Sequence, residues 1–175
     1  MKIERVWAMP NKWTFKIKPI KKLLERYVQN GKGWMDPFSG MNSPAEYTND
    51  LNPQCRAIYH MEASDFIKQL DGQYVGCIFD PPYSLNKIKE AYMISGKNPK
   101  DIIVNSQYYA LLKKLISPKI KSGGYVICFG FHSNGFGKRY GFEMEQILLI
   151  AHGGAHYDTI VTVERKMNKN IDVSK

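Results

Sequence analysis

Asp80-Pro81-Pro82-Tyr83 follows directly on an unbroken apolar run, Tyr74–Phe79, and each of its residues has a task in making an aromatic amine react. Such an amine is a poor nucleophile because its lone pair is delocalised into the ring. A carboxylate (Asp80) and a main-chain carbonyl (Pro81) can accept both N–H bonds and concentrate electron density on nitrogen as it turns tetrahedral. Pro81 and Pro82 fix the backbone so that these acceptors stay aimed, and Tyr83 offers a flat face for a base that has left its helix. A plain strand-ending turn accounts for the prolines and for a locally bonded aspartate, but not for the whole set. At average residue frequencies the tetrapeptide arises by chance in on the order of one chain in a thousand of this length.

The elements around it alternate in the manner of an α/β chain. Residues 18–29 carry apolar side chains at helical spacing, with Pro19 at the start and Asn30-Gly31 as the stop. Short strands are expected at Gly33–Pro37, Glu46–Leu51 and Ala57–Met61, then a short helix at Phe66–Leu70. Tyr74–Phe79 reads as a strand covered on both faces of a parallel sheet. A polar, lysine-rich stretch, Ser84–Asn105, leads to a helix at Ser106–Lys121 and a fifth strand at Tyr125–Phe129. The last two extended runs flank His152-Gly153-Gly154-Ala155-His156, as in an antiparallel hairpin. This order predicts an α/β fold with a doubly wound, mostly parallel sheet ending in that hairpin. Ligands of such sheets lie beyond the carboxyl ends of the strands, which places Asp36, Asp50, Asp65 and Asp80 on one rim.

The 175 residues fit one domain, with 43% hydrophobic and 23% charged residues excluding a disordered chain. No run is long enough to span a membrane, and the N-terminus lacks the apolar core of a secretory signal. Cys55, Cys77 and Cys128 are odd in number and far apart, so free thiols in a reducing cytoplasm are expected, with neither disulfide nor metal site. The net charge of +9 fits a nucleic-acid partner and a merely basic surface equally well.

Taken together, these motifs resemble the amino-methyltransferases of nucleic acids. The likeness is strongest to small adenine-N6 DNA methyltransferases of phages and mobile elements, and it covers nearly the whole chain. That resemblance implies the doubly wound class I methyltransferase fold, S-adenosylmethionine as cofactor, and the N6 amine of adenine in DNA as acceptor, with RNA as the alternative polymer. It implies that Asp36-Pro37-Phe38-Ser39-Gly40 lies under the methionine part of the cofactor and that Asp50, followed by Leu51 and Asn52, binds the ribose hydroxyls. It further implies that Asp65-Phe66 receives the adenine ring, and that Trp13, Thr14 and Phe15 help to cap the methionine end. In the family the glycine turn continues to a second glycine; here Asn42 stands there, a residue that tolerates left-handed backbone better than most. Transfer would be direct and in line, without a covalent intermediate.

Lysines around an aromatic, Lys87, Lys89 and Lys97 with Tyr92, suit a mobile lid over nucleic acid, and a solvated loop fits nearly as well. Lys100 belongs to the same stretch. After the fifth strand, His132, Asn134, Lys138 and Arg139 are candidates for base or phosphate contacts, against a plain glycine-rich loop. His152 and His156 read as structural, since Gly153-Gly154 between them makes a turn. Other acceptors on the same scaffold are guanine-N2 of ribosomal RNA, protein glutamine, for which Asp80 is the wrong first residue, and cytosine N4, where serine is more usual. A catalytically silent subunit is the remaining rival, and the intact Asp80 weighs against it. A single domain of 1–175 leaves no room for a separate target-recognition domain. Selectivity is therefore expected to be low, to rest on a very short target, or to be borrowed from a homodimer or partner subunit. The expected setting is the cytoplasm of a bacterial or phage-infected cell, where the resemblance implies a restriction-modification role.

Overall fold

A computed structural model describes residues 1–98, 105–154 and 156–168. Its centre is a sheet of seven strands, β1 (Lys2–Trp7), β2 (Trp34–Asp36), β3 (Tyr47–Thr48), β4 (Tyr74–Phe79), β5 (Ile120–Gly130), β6 (Phe142–Ala151) and β7 (Thr159–Lys166). They lie in the order β1-β6-β7-β5-β4-β2-β3, all parallel except β7, which runs antiparallel to both β5 and β6. The strand order reverses between β2 and β4, the chain running outward to β3 on one side and to β5 on the other, which makes the carboxyl ends of these two strands the place where a crevice forms.

Alternation along the strands divides the core in two. On one face Ile78 and Ile127 meet Ile20, Leu23 and Leu24 of α1 (Lys18–Tyr27). On the other, Cys77, Phe79, Val126 and Cys128 meet α2 (Ala63–Gln69) and α4 (Ser106–Ile116) through Phe66, Ile67, Leu112 and Ile116. A remaining helix, α3 (Leu85–Ile94), follows the Pro-Pro turn. Gly76 permits the close packing of β4 on β2: a Cβ there would stand 2.6 Å from the Trp34 ring.

Four elements differ from the sequence expectation. The Ala57–Met61 strand is absent; Ile58 and Tyr59 both donate to the Thr48 carbonyl in a turn, leaving one isolated bridge between Asn49 and Tyr59. The lysine-rich stretch contains α3, because Ile88 and Tyr92 share a buried face and the Ser84 hydroxyl caps the first turn by accepting from the Lys87 N–H at 3.2 Å. Lys100 of that stretch lies outside the described residues. β1 is an additional edge strand, paired with β6 from Lys2↔Gln146 to Trp7↔Ala151. The fifth strand starts earlier than expected, at Ile120, since Pro118 ends the preceding helix one turn sooner. Among the described residues no helix is long and apolar enough to cross a membrane.

Candidate active site

The turn after β2 is built from its own side chains. Asp36 is fully buried and accepts from the Phe38 N–H at 2.9 Å and the Ser43 hydroxyl at 2.6 Å. Gly40 takes φ +54 and donates its N–H to Asp50 Oδ2 at 2.8 Å, so the turn closes onto the segment after β3. Asn42 keeps a negative φ, which is why a second glycine is dispensable there. β2 and β3 are parallel neighbours, yet residues 37–46 between them form no helix.

Asn49, unremarked in the sequence, supplies what such a helix would otherwise provide. It is buried, donates its side-chain amide to the Pro37 carbonyl at 3.0 Å and the Met61 carbonyl at 3.1 Å, and accepts from the Met61 N–H at 3.1 Å. The signal available in sequence was only its place beside Asp50. Asp50 itself is oriented by two N–H donors, Gly40 and, at 2.9 Å to Oδ1, Asn52.

These segments and the Asp80-Pro81-Pro82-Tyr83 turn border one cavity of about 430 Å³. Pro37, Phe38, Asp50 and Leu51 form one side, Met61, Glu62 and Ala63 another, and the turn with Ile88 and Tyr92 of α3 the third. A smaller recess of about 200 Å³ adjoins it between Trp13, Thr14 and Phe15 and the turn Phe38-Ser39-Gly40, with Asp80 at the junction. Thr14 borders both spaces, whereas most of Phe15 packs in the core against Phe129, ring centroids 5.3 Å apart.

The electrostatics single out this junction. Desolvation pushes the enclosed carboxyl of Asp80 up to about 7, opposed by a hydrogen bond from the Thr14 hydroxyl. Asp36 is raised to about 8, chiefly by burial, against its bonds from Ser43 and Phe38 and reinforced by the charges of Asp80 and Asp50. Tyr109, itself raised to about 12 by burial, donates to the Pro82 carbonyl and braces the turn. The Tyr83 ring lies over the end of β5, where a Cβ on Gly130 would come within 3.3 Å of it. Burial holds the Tyr83 phenol well above its usual range, and its enclosed hydroxyl has no hydrogen-bond partner among the described residues.

Several expected site residues stand elsewhere. Asp65 is in the first turn of α2, exposed and paired with Lys68 at 3.3 Å, because the helix begins at Ala63 and turns it outward. Glu62, one turn earlier, borders the cavity in its place; Phe66 is in the core beneath α2, tilted against Tyr59. Tyr92 is buried rather than offered to a base, and its hydroxyl donates to Glu62 Oε2 at 3.2 Å. Lys97 is ion-paired with Glu62 at 2.6 Å. Lys138 and Arg139 precede β6, whose first residue pairs with Lys166, whereas the rim lies where Gly130 pairs with Ile160. Six residues of strand separate the two, about 20 Å at roughly 3.3 Å per residue, so this basic pair is at the far end of the sheet from Asp80. Lys87 borders the cavity, Lys89 is exposed on α3, and His132 and Asn134 are exposed after β5. Asn52 orients Asp50 without bordering the cavity. His152 is structural: its Nδ1 donates to the Ala8 carbonyl at 2.9 Å, with Thr159 Oγ1 2.9 Å from Nε2. Among the described residues no group of three His, Cys, Asp or Glu is placed to hold a metal ion.

No family model and no curated protein matches this sequence. Solved structures match the fold. TrmN from Thermus thermophilus is 14% identical, with a TM-score of 0.55 over 86% of this chain, which spans only 49% of that one. The N-methyltransferase NodS from Bradyrhizobium japonicum WM9, in complex with S-adenosyl-L-homocysteine, is 7% identical over 89% of each chain, with a TM-score of 0.53. The 1,6-didemethyltoxoflavin-N1-methyltransferase from Burkholderia thailandensis, with its acceptor and S-adenosylhomocysteine bound, is 12% identical, with a TM-score of 0.57 over 86% of this chain and 78% of that one. A mixed sheet with one antiparallel strand inserted beside β5, helices on both faces and a crevice beyond β4 is thus the Rossmann-like fold of class I methyltransferases.

Proposed function

We propose that this chain transfers a methyl group from S-adenosylmethionine to an exocyclic amine, the N6 amine of adenine in DNA. The observation that carries the reading is that Asp80-Pro81-Pro82-Tyr83 borders the same cavity as Asp50 and Glu62, at the point where the strand order reverses.

The residues present fit a cationic cofactor. Asp80 borders both spaces and its ionised form is disfavoured by burial, a cost that a sulfonium or ammonium nearby would relieve; Asp36 borders neither space and would act through the turn it holds and through its charge. Ser39 adds a buried hydroxyl with no hydrogen-bond partner among the described residues. Asp50, already oriented by two N–H donors, would hold the ribose hydroxyls, and Glu62 with Leu51 and Met61 the adenine end. Trp13, Thr14, Phe38 and Gly40 would flank the methionine end. When bound, the cofactor supplies a methyl group already activated by its positive sulfur.

The chain's own work is then positioning and charge stabilisation. Asp80, ionised, accepts one amine N–H and is placed to take the proton that the amine sheds; the Pro81 carbonyl accepts the other. Tyr109 fixes the turn through Pro82, and Tyr83 stacks the base. Lys12 and Lys87 at the cavity, with the exposed Lys89, His132 and Asn134, would serve phosphate and base contacts. A homodimer or partner subunit would supply any longer sequence specificity.

Labelled methyl transfer to DNA, RNA and protein side by side tests the reading, with Asp80→Ala as control. Transfer to DNA that is lost in the variant is expected. Transfer only to RNA or protein, or equal activity of the variant, overturns it. Methylation of random-sequence DNA by the isolated chain is expected to follow a short or absent consensus, and a long, strict site would sink that part.

A further inference from the structure

From the cavity wall outward the rim carries an aromatic row whose outer rings, Phe131 and Tyr157, the methyl-transfer chemistry does not use. Phe131, directly after β5, lies against Tyr83 with ring centroids 5.5 Å apart, and Tyr157, in the β6–β7 turn, lies against Phe131 at 5.4 Å. The exposure of these rings rises outward, to 56% at Phe131 and 82% at Tyr157. Large aromatic faces left in water next to a functional cavity need an occupant, since their burial nearby would otherwise be favourable. Gly130 leaves room for the Tyr83 ring at the end of β5, and His152 bonds at the base of the β6–β7 turn to Ala8 and Thr159. Asp158, next to Tyr157, accepts the His152 N–H at 3.3 Å and fixes the other flank.

We infer that Phe131 and Tyr157 form a stacking platform for the unpaired nucleotide adjoining the acceptor base, so that the polymer is engaged as a single strand. The inference rests on the methyl-transfer reading above. Three features favour a nucleotide over a protein side chain. The row is continuous with the Tyr83 ring, it consists of flat faces that accept any base, and it belongs to a chain of net charge +9 with Lys12 and Lys87 at the adjoining cavity. A paired neighbour would have to give up its partner and its remaining stack to reach the platform, whereas an unpaired base is free to do so. Stacking of this kind is tolerant of sequence.

The test compares Tyr157→Ala and Tyr157→Phe with the unaltered protein. Binding of a fluorescein-labelled single-stranded adenine-containing oligodeoxynucleotide and of the duplex of the same sequence is followed by anisotropy, and methylation of both is measured. Tyr157→Ala is expected to weaken single-strand binding about five- to a hundredfold. Its melting temperature and its affinity for S-adenosylmethionine should stay unchanged, and Tyr157→Phe should restore binding. Tyr157→Ala binding single strands as tightly as the unaltered protein overturns the inference, as does an equal loss on single strand and duplex. A concentration-dependent dimer that buries Tyr157 overturns it too, by assigning the patch to a second copy of the chain. If DNA is methylated through Asp80 and Tyr157→Ala has no effect, the platform alone fails; if no DNA is methylated, the reading of the site fails first.

Discussion

Asp80 and Glu164 are both acids enclosed by the same sheet, and their surroundings are opposite. Burial raises Glu164, in β7, as it raises Asp80, but there the cost is opposed by the Phe136 N–H, by the Gly137 N–H at 2.7 Å, and by the charge of Lys113. Gly135 lies so close that a Cβ would stand 2.2 Å from the carboxylate. Its acceptor capacity is spent on holding a loop. Asp80 has only the Thr14 hydroxyl set against the burial of its carboxyl, and it borders the cavity. A satisfied buried acid holds structure together, while a costly one facing an open space is poised for a ligand.

Exchanging the roles gives the largest effects. Asp80→Asn is expected to lower kcat by on the order of 10³ while leaving the melting temperature unchanged or raised, because a charge is removed from an enclosed site. Glu164→Ala leaves two buried N–H groups without acceptors and is expected to cost about 3 kcal/mol, seen as a melting temperature about 6–12 °C lower. If Asp80→Asn unfolds the protein and Glu164→Ala is silent, the contrast is reversed and fails.

Titration sharpens the same contrast. Asp80 must be ionised to accept an N–H, so kcat/KM should climb with pH and level off above about 7. Stability should move the other way. Asp36 and Asp80 are raised in the fold to about 8 and about 7, so the folded state holds protons that the unfolded chain has already released. Their contribution is fully present below the ordinary carboxylate range and is lost as pH rises through the raised values. The ligand-free protein should therefore melt at progressively lower temperature from pH 5 to pH 8.5, and S-adenosylmethionine should flatten the slope. A flat melting curve without ligand would contradict the placement of these carboxyls.

The smallest effects separate two acids of one short segment. Glu62→Ala is expected to weaken S-adenosylmethionine about tenfold by calorimetry, through loss of a cavity wall and of its bonds to Tyr92 and Lys97. Asp65→Ala removes a surface ion pair with Lys68 and a long hydrogen bond from the Ser64 hydroxyl, both away from the cavity, and should change affinity less than twofold. The opposite ranking would return the site to Asp65.

That pair also shows what a sequence discloses. Asp80 and Tyr83 could be placed because a continuous apolar strand and two prolines determine locally where the strand stops and which way the turn faces. Met61-Glu62-Ala63-Ser64-Asp65 holds two acids three residues apart, and which one faces the cavity depends on where α2 begins, a matter settled by packing of Phe66 and Ile67. Tyr92 and Lys97 suited a lid or a solvated loop because the helix bringing them to Glu62 mixes buried Ile88 and Tyr92 with exposed Leu85, Met93 and Ile94, so no one apolar face stands out in the sequence. Lys138 and Arg139 follow a strand that ends at the rim, but the chain then travels the length of the sheet before β6 starts, which spacing does not record. β1 escaped notice because an edge strand needs no long apolar run.

Asn49 has a mechanical consequence. One side chain pins the turn after β2, its own strand end and the loop before α2, so three stretches remote in sequence behave as a single solid piece. Slackening any one of them means breaking bonds of about 1 kcal/mol each in the others. Stiffness that a crossover helix would spread over a dozen residues is here concentrated in one amide, and the wall of the cavity yields as a whole or not at all.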